Sequence, residues 1–302
     1  GYRARSVGCG TVASAIQQAE MEYPAMLTLA SIPSPPQNTF EIGPLTIHFY
    51  GIMIGIGVLV AAIVTQKRYE KFGGDPTILD RVILWTVLIG FVGARLAYVS
   101  THTARYQGRW YAVLFIWEGG LALYGGLTAG ALTAVYMMRK LNGDFPMFAD
   151  AVAVGLPLAQ AIGRFGNYFN QELFGTPSSL PWAVEIDPVN RPAEYMEFET
   201  FHPTFLYEAM WNVFVTVPVI LYCERRFELR KGASFPIYMI VYGVIRFLTE
   251  LIRTDTTFRV LGLSRNALVS LAAILGGALL LYLVQARGSL REKTNAPEPV
   301  DS

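Results

Sequence analysis

The residues best able to do chemistry in this chain are charged side chains set within apolar sequence. Arg95, Glu208, Arg246 and Glu250 interrupt long hydrophobic runs, and Arg164 follows directly on another. An ionisable group is expensive in hydrocarbon, so one found there usually marks a working site. Arginine keeps its charge even when partly buried, and its planar fork matches the oxygens of a phosphate. Two guanidiniums at one depth, such as those of Arg164 and Arg246, therefore suit a phosphate group. Each residue also has a plainer reading. Arg246 and Glu250, at i and i+4 on one helix face, can simply neutralise each other. Glu208 can be a packing partner for a neighbouring arginine, and Arg95 a structural anchor. Metal and redox chemistry find little support. His48, His102 and His202 are scattered, and Cys9 and Cys223 fit neither a zinc spacing nor a disulfide framework. No cofactor is expected.

The elements that must position these groups are membrane helices. Of 302 residues, 53% are hydrophobic and only 16% are charged, and the mean hydropathy is +0.37. An average soluble domain is about 25% charged, so lipid is the expected main solvent. A helix needs about 20 mostly apolar residues to cross it. Seven segments qualify: Ile47–Val64, Ile78–Val99, Trp117–Met138, Met147–Ile162, Pro203–Tyr222, Ser234–Ile252 and Ala267–Val284. The fourth is short and carries Asp150, Pro157 and Gln160, so it reads as tilted or partly re-entrant. The runs are continuous rather than alternating, which argues against a barrel. The expected fold class is all-α, a polytopic membrane protein with a small extracytoplasmic head between spans four and five.

Lysine and arginine choose the orientation. One set of flanks holds 13 of them: Lys67, Arg68, Lys71, Arg81, Arg139, Lys140, Arg225, Arg226, Arg230, Lys231, Arg287, Arg291 and Lys293. The opposite set holds 7: Arg105, Arg109, Arg164, Arg191, Arg253, Arg259 and Arg265. The positive-inside rule makes the first set cytoplasmic. The chain then divides into an outer N-terminal tail (1–42, with 1–25 readable as an extension upstream of Met26), a transmembrane domain (43–286) and a cytoplasmic tail (287–302). The head (164–202) is rich in acidic residues, prolines and aromatics, which favours an ordered cap over a floppy linker. This orientation brings Tyr50, Arg95, Glu118, Tyr124, His202, Glu208, Arg246 and Glu250 toward the outer ends of their spans. Polar groups from several spans at one level are what a cavity open to the outer leaflet requires. The phosphate most available there belongs to a phospholipid headgroup.

After span four the chain reads Gly163-Arg164-Phe165-Gly166-Asn167-Tyr168-Phe169-Asn170-Gln171-Glu172-Leu173-Phe174-Gly175. This resembles the signature of the prolipoprotein diacylglyceryl transferase family. Supporting pieces follow the family order: Ile32-Pro33-Ser34-Pro35, His48-Phe49-Tyr50-Gly51, Gly93-Ala94-Arg95, Trp117-Glu118-Gly119-Gly120, His202-Pro203 with Leu206-Tyr207-Glu208, and Arg246-Phe247-Leu248-Thr249-Glu250 leading to Arg253. The resemblance runs from about Ile32 to about Val284.

The resemblance implies an enzyme of the bacterial cytoplasmic membrane that moves the diacylglyceryl group of phosphatidylglycerol onto the lipobox cysteine thiol of a prolipoprotein. A thioether forms and glycerol phosphate leaves. The implied partners are phosphatidylglycerol, prolipoprotein signal peptides and the bilayer, with no nucleic acid. Functional positions carry over to Tyr50, Arg164, Asn167, Glu172, Gly175, Arg246 and Glu250. Many members have a histidine before the Gly-Gly of span three, where this chain has Tyr124 before Gly125-Gly126. An unperturbed tyrosine, with a pKa of about 10, is a poor base at neutral pH. His202 is therefore the candidate for accepting the thiol proton, and Arg95 is an added candidate for the lipid headgroup. The competing class is a small-solute or lipid transporter. Against it, no internal repeat is visible, and the buried charges gather at one end instead of crossing the membrane. A headgroup transferase is a second alternative.

Overall fold

The computed structural model describes residues 31–43, 45–115, 119–254, 259–260 and 262–287. Residues 1–30, Trp117, Glu118 and 288–302, to which the sequence assigned a tail, a site position and a second tail, lie outside the described residues. A hairpin of β1 (Thr39–Ile42) and β2 (Leu45–His48) leads into α1 (Phe49–Lys71). Then come α2 (Pro76–Thr101), α3 (Leu123–Lys140) and α4 (Phe145–Phe169). A ribbon of β3 (Val184–Glu185) and β4 (Thr200–Phe201) precedes α5 (Thr204–Trp211), which continues through a π-helical turn at Asn212–Thr216 into α6 (Val217–Arg226). The chain closes with α7 (Ser234–Ile252), a ribbon of β5 (Arg259–Val260) and β6 (Leu263–Ser264), and α8 (Arg265–Arg287).

Local chemistry sets the helix starts. Asp75 caps α2 by accepting from the Thr77 amide at 2.8 Å, with Pro76 at the first helical position. Asp144 caps α4 through the Met147 amide at 3.0 Å, with Pro146 in the first turn. A side-chain acceptor satisfies an otherwise orphaned amide there, and proline has no amide to lose. The fourth span is one continuous 25-residue helix, with Pro157 inside it.

Among the described residues, six helices are long and apolar enough to cross a membrane: Phe49–Lys71, Pro76–Thr101, Phe145–Phe169, Thr204–Arg226, Ser234–Ile252 and Arg265–Arg287. On α2, Leu84, Trp85, Leu88, Val92 and Leu96 are 46–58% exposed. A water-soluble surface rarely tolerates such a continuous apolar face. The chain is thus a mostly helical, multi-pass membrane protein. The third expected span fits less well. Its helix begins at Leu123, not Trp117, because Gly119 and Gly120 take φ of 76° and 86°. It runs 18 residues, ends on Arg139 and Lys140, and is not among the six. The first helix likewise starts at Phe49, since Ile47 and His48 belong to β2. The three short ribbons depart from a purely helical expectation.

Helices pair closely, α1 on α4, α2 on α3 and α7 on α8. Small residues make the α2–α3 approach possible. A Cβ on Gly93 would stand 2.9 Å from the Gly125 carbonyl oxygen, tighter than real contacts allow. At one end of the bundle Tyr69, Leu79, Val82, Met138 and Met147 form a buried cluster. At the other end, Phe174, Val184, Ile186, Phe201 and Phe205 form the core of the connection between α4 and α5. Ile32 is laced to that connection, donating its amide to the Ala183 carbonyl at 2.8 Å and accepting from Glu185 at 2.9 Å. That core explains how a polar, proline-rich segment stays ordered.

Candidate functional site

Beneath this aromatic cap, α4, α5 and α7 bring five charges into one alternating chain. Arg164 lies near the C-terminal end of α4 and Glu208 one turn into α5, where the next helix starts back in the opposite direction. Their side chains meet in an ion pair, and Glu208 is only 1% exposed. Arg246 of α7 reaches the other oxygen of the same carboxylate at 3.5 Å. It also pairs with Glu250 at 2.9 Å, one turn further along its own helix. Glu250 in turn holds Arg253 at 3.3 Å. Arg164 and Arg246 therefore converge on one buried anion from two different helices. Low surrounding polarity strengthens such contacts relative to water, and also makes any unpaired charge costly.

Neutral groups fix the chain in place. The Thr249 hydroxyl donates to Glu208 at 3.0 Å. Ser264 and Asn266 donate to Glu250 at 2.8 and 3.1 Å. The Tyr242 hydroxyl lies beside the Arg164 guanidinium. Asn167, one turn after Arg164, accepts from it at 3.3 Å and donates to Glu172 at 2.8 Å. Tyr50 packs its ring on Gly166, where a Cβ would come within 2.3 Å of it. Only glycine there lets the α1 aromatic lie against α4 beside Arg164 and Glu172.

The backbone around Glu172 is strained. Gln171 and Leu173 both occupy the left-handed region, at φ 50° and 59°. Each costs roughly 1–2 kcal/mol for a residue with a Cβ, so the surroundings must hold them there. Gln171 does so by gripping Asp187, donating to its carboxylate at 2.6 Å and accepting from its amide at 2.7 Å. The Leu173 carbonyl accepts from the Thr204 hydroxyl. Ser34 also donates to Asp187 at 2.8 Å. The hydrogen bonds from Gln171 and Ser34 hold the Asp187 carboxyl below its ordinary pKa. Gly175 follows, bridged to Arg253 and wedged against His202, where a Cβ would sit 2.8 Å from that of the histidine. The signature segment thus ties the cap to the end of α7.

Of the residues expected from sequence, Arg164, Asn167, Glu172, Arg246 and Glu250 come together, with Tyr50 and Gly175 at the margin. Three stand apart from the charged chain. His202 sits in the cap, its Nδ1 3.0 Å from the Tyr207 hydroxyl, which also accepts from Trp182 at 3.2 Å. Tyr124 is 70% exposed on α3. Arg95 is buried, and its donors are taken by backbone carbonyls. Nε reaches Val113 at 2.7 Å, Nη1 reaches Gly119 and Gly120, and Nη2 reaches Ala112 and Phe115, both at 3.0 Å. It clamps the connection between α2 and α3. Glu208, Thr249, Arg253 and Tyr242 join the centre without a site role assigned from sequence. From sequence, Glu208 reads as a charge within a span at the level of the site, with an arginine's packing partner as its plainer reading.

Comparison with known proteins covers the part of the chain that holds this site. A family model described as prolipoprotein diacylglyceryl transferase matches residues 37–283. The chain is 40% identical over 271 residues to a phosphatidylglycerol--prolipoprotein diacylglyceryl transferase of Cutibacterium acnes, covering 88% of this chain and 91% of that protein. It is 42% identical over 260 residues to phosphatidylglycerol--prolipoprotein diacylglyceryl transferase 2 of Streptomyces coelicolor, covering 85% and 82%. A relative of the same name in Leifsonia xyli subsp. xyli is 44% identical over 275 residues, covering 86% and 82%.

Proposed function

The chain belongs to the prolipoprotein diacylglyceryl transferase family, and from that premise we propose that it transfers the diacylglyceryl group of phosphatidylglycerol to the lipobox cysteine thiol of prolipoproteins. One observation carries the reading at residue level: Arg164 and Arg246, from separate helices, share a single buried anion partner. They are placed to hold one phosphodiester between them. The sulfur of the substrate cysteine attacks the carbon of the diacylglyceryl group that bears the phosphate. The carbon–oxygen bond breaks, a carbon–sulfur bond forms, and glycerol phosphate leaves with the bonding electrons. The arginines stabilise the charge that gathers on this leaving group, an effect that is large where water is excluded. The thiol must lose a proton, and with a pKa near 8.5 it does so more readily beside two cations.

The other residues orient this pair. Asn167 and Glu172 line up Arg164, Glu250 lines up Arg246, and Gly175 lets the cap close onto α7. Tyr50 fills the wall beside Arg164. His202 is the candidate acceptor of the thiol proton; Tyr124 stands where many members carry histidine. Arg95 holds the α2–α3 connection, beside its candidate role at the lipid headgroup. The Leu123–Lys140 helix serves as a seventh span, which puts the N-terminus and the 164–202 head outside and the C-terminus in the cytoplasm. Residues 43–286 form the catalytic domain of a bacterial inner-membrane protein. A transporter accounts less well for an alternating chain of arginines and glutamates gathered at the cap end and paired with one another.

The direct assay is mass spectrometry of a lipobox peptide incubated with purified protein and phosphatidylglycerol. The reading expects a diacylglyceryl mass added at cysteine and glycerol phosphate released. An unmodified peptide, or flux of solute through proteoliposomes instead, would overturn it.

A further inference from the structure

The anion on which Arg164 and Arg246 converge belongs to the protein itself. All four terminal nitrogens of the two guanidiniums already donate to protein acceptors. Arg164 uses Nη1 on Asn167 and Nη2 on Glu208; Arg246 uses Nη1 on Glu208 and Nη2 on Glu250. A phosphodiester drawn to both arginines must compete with groups that are in place.

Those groups are unequally held. Glu250 is tied by Arg246 at 2.9 Å, Arg253 at 3.3 Å, Ser264 at 2.8 Å and Asn266 at 3.1 Å. Asn167 is tied to Glu172 at 2.8 Å. The contact between Arg246 and Glu208, at 3.5 Å, is the longest of the four. Glu208 also offers what a phosphodiester offers, one negative charge spread over paired oxygens aimed at two cations.

Resting on the reading that these arginines grip a lipid phosphate, we propose that Glu208 is an internal stand-in for that phosphate, which releases Arg246 to the arriving lipid and takes it back when glycerol phosphate departs. Two guanidiniums in a poorly solvated site repel each other unless an anion lies between them. Glu208 supplies that anion in advance and keeps both aimed at one point. Thr249, at 3.0 Å, steadies the carboxylate on the side away from Arg164 during the exchange. The leaving group carries more negative charge than the lipid phosphodiester, so a pair of arginines without a competitor would retain it. Binding the product too well gains nothing in turnover. Glu208 is in this sense a positioning residue that also limits affinity.

The test is steady-state kinetics of purified Glu208→Gln and Glu208→Asp with phosphatidylglycerol and a lipobox peptide. Glutamine removes the charge; aspartate keeps it but falls one methylene short of Arg246. The proposal expects KM for phosphatidylglycerol to fall about three- to tenfold in Glu208→Gln, the scale of one weak ion-pair contact, and by less in Glu208→Asp. Inhibition by added glycerol phosphate should strengthen in the same order, and kcat should drop as product release slows. A KM unchanged or raised in both variants overturns it. So does loss of folded protein in Glu208→Asp, which keeps the charge beside Arg164 and gives up only the Arg246 contact that the proposal has broken at every turnover. If instead glycerol phosphate fails to inhibit the unmodified protein, the reading of the arginines as a phosphate site is what fails.

Discussion

At the scale of single residues, the buried charges of the site are paired with one another, and substrate must meet them through that pairing. Tyr124 stands 70% exposed on the first turn of α3, well outside the buried ion-pair chain. A residue so placed can touch lipid or peptide without disturbing the fold. Tyr124→His should therefore give lipid transfer equal to or faster than the original protein, measured by the peptide assay; complete loss would mean that the tyrosine itself is required. Much of the site was legible from such residues. Arg164, Asn167, Glu172, Arg246 and Glu250 are visible as polar groups in a signature or an apolar run, and their helix spacing forces them to one end. For Arg95 the plainer reading, a structural anchor, was legible, but its partners were not. Its five bonds all go to carbonyls of a connection whose path no sequence pattern specifies. Glu208 was visible as a buried charge, but its position between two arginines depends on how α4, α5 and α7 pack.

At the scale of elements, helices were readable because lipid demands long apolar runs, whereas the ribbons are too short to leave a period. β3 and β4 pair through only two residues each, and the cap owes its order to a small aromatic core and to side-chain bonds. Asp187 is central to that lacing, accepting from Gln171 at 2.6 Å and Ser34 at 2.8 Å. These bonds favour its charged form and hold its pKa below the usual carboxylate value. A group with a depressed folded-state pKa stabilises above the unfolded value, near about 3.9, and that stabilisation is lost as pH falls through the folded value. Thermal unfolding of Asp187→Asn should begin below that of the original protein at neutral pH, and the gap should close on acidification below about pH 4. A gap that stays constant with pH would show that the charge is not what holds the cap to the strained turn at Gln171.

At the scale of the whole molecule, asymmetry is the main feature. One end of the bundle carries the cap and the alternating charges. The other carries the connections that hold Arg68, Lys71, Arg139, Lys140, Arg225 and Arg226, with Arg68 paired to Glu224 at 2.6 Å. The excess of lysine and arginine at that end should keep it cytoplasmic. With Cys9 and Cys223 changed to serine, a membrane-impermeant maleimide should label a cysteine at Glu194 on intact spheroplasts. A cysteine at Glu228 should label only after permeabilisation. The reverse pattern would invert the molecule and move the site to the wrong leaflet. Lysine in place of arginine preserves charge at either guanidinium but abolishes the two-pronged grip. Lipid-transfer rates of purified Arg164→Lys and Arg246→Lys therefore bear most directly on the paired-arginine phosphate site: a drop in kcat/KM on the order of 10²-fold in each is the expected result, and full activity in both would contradict it.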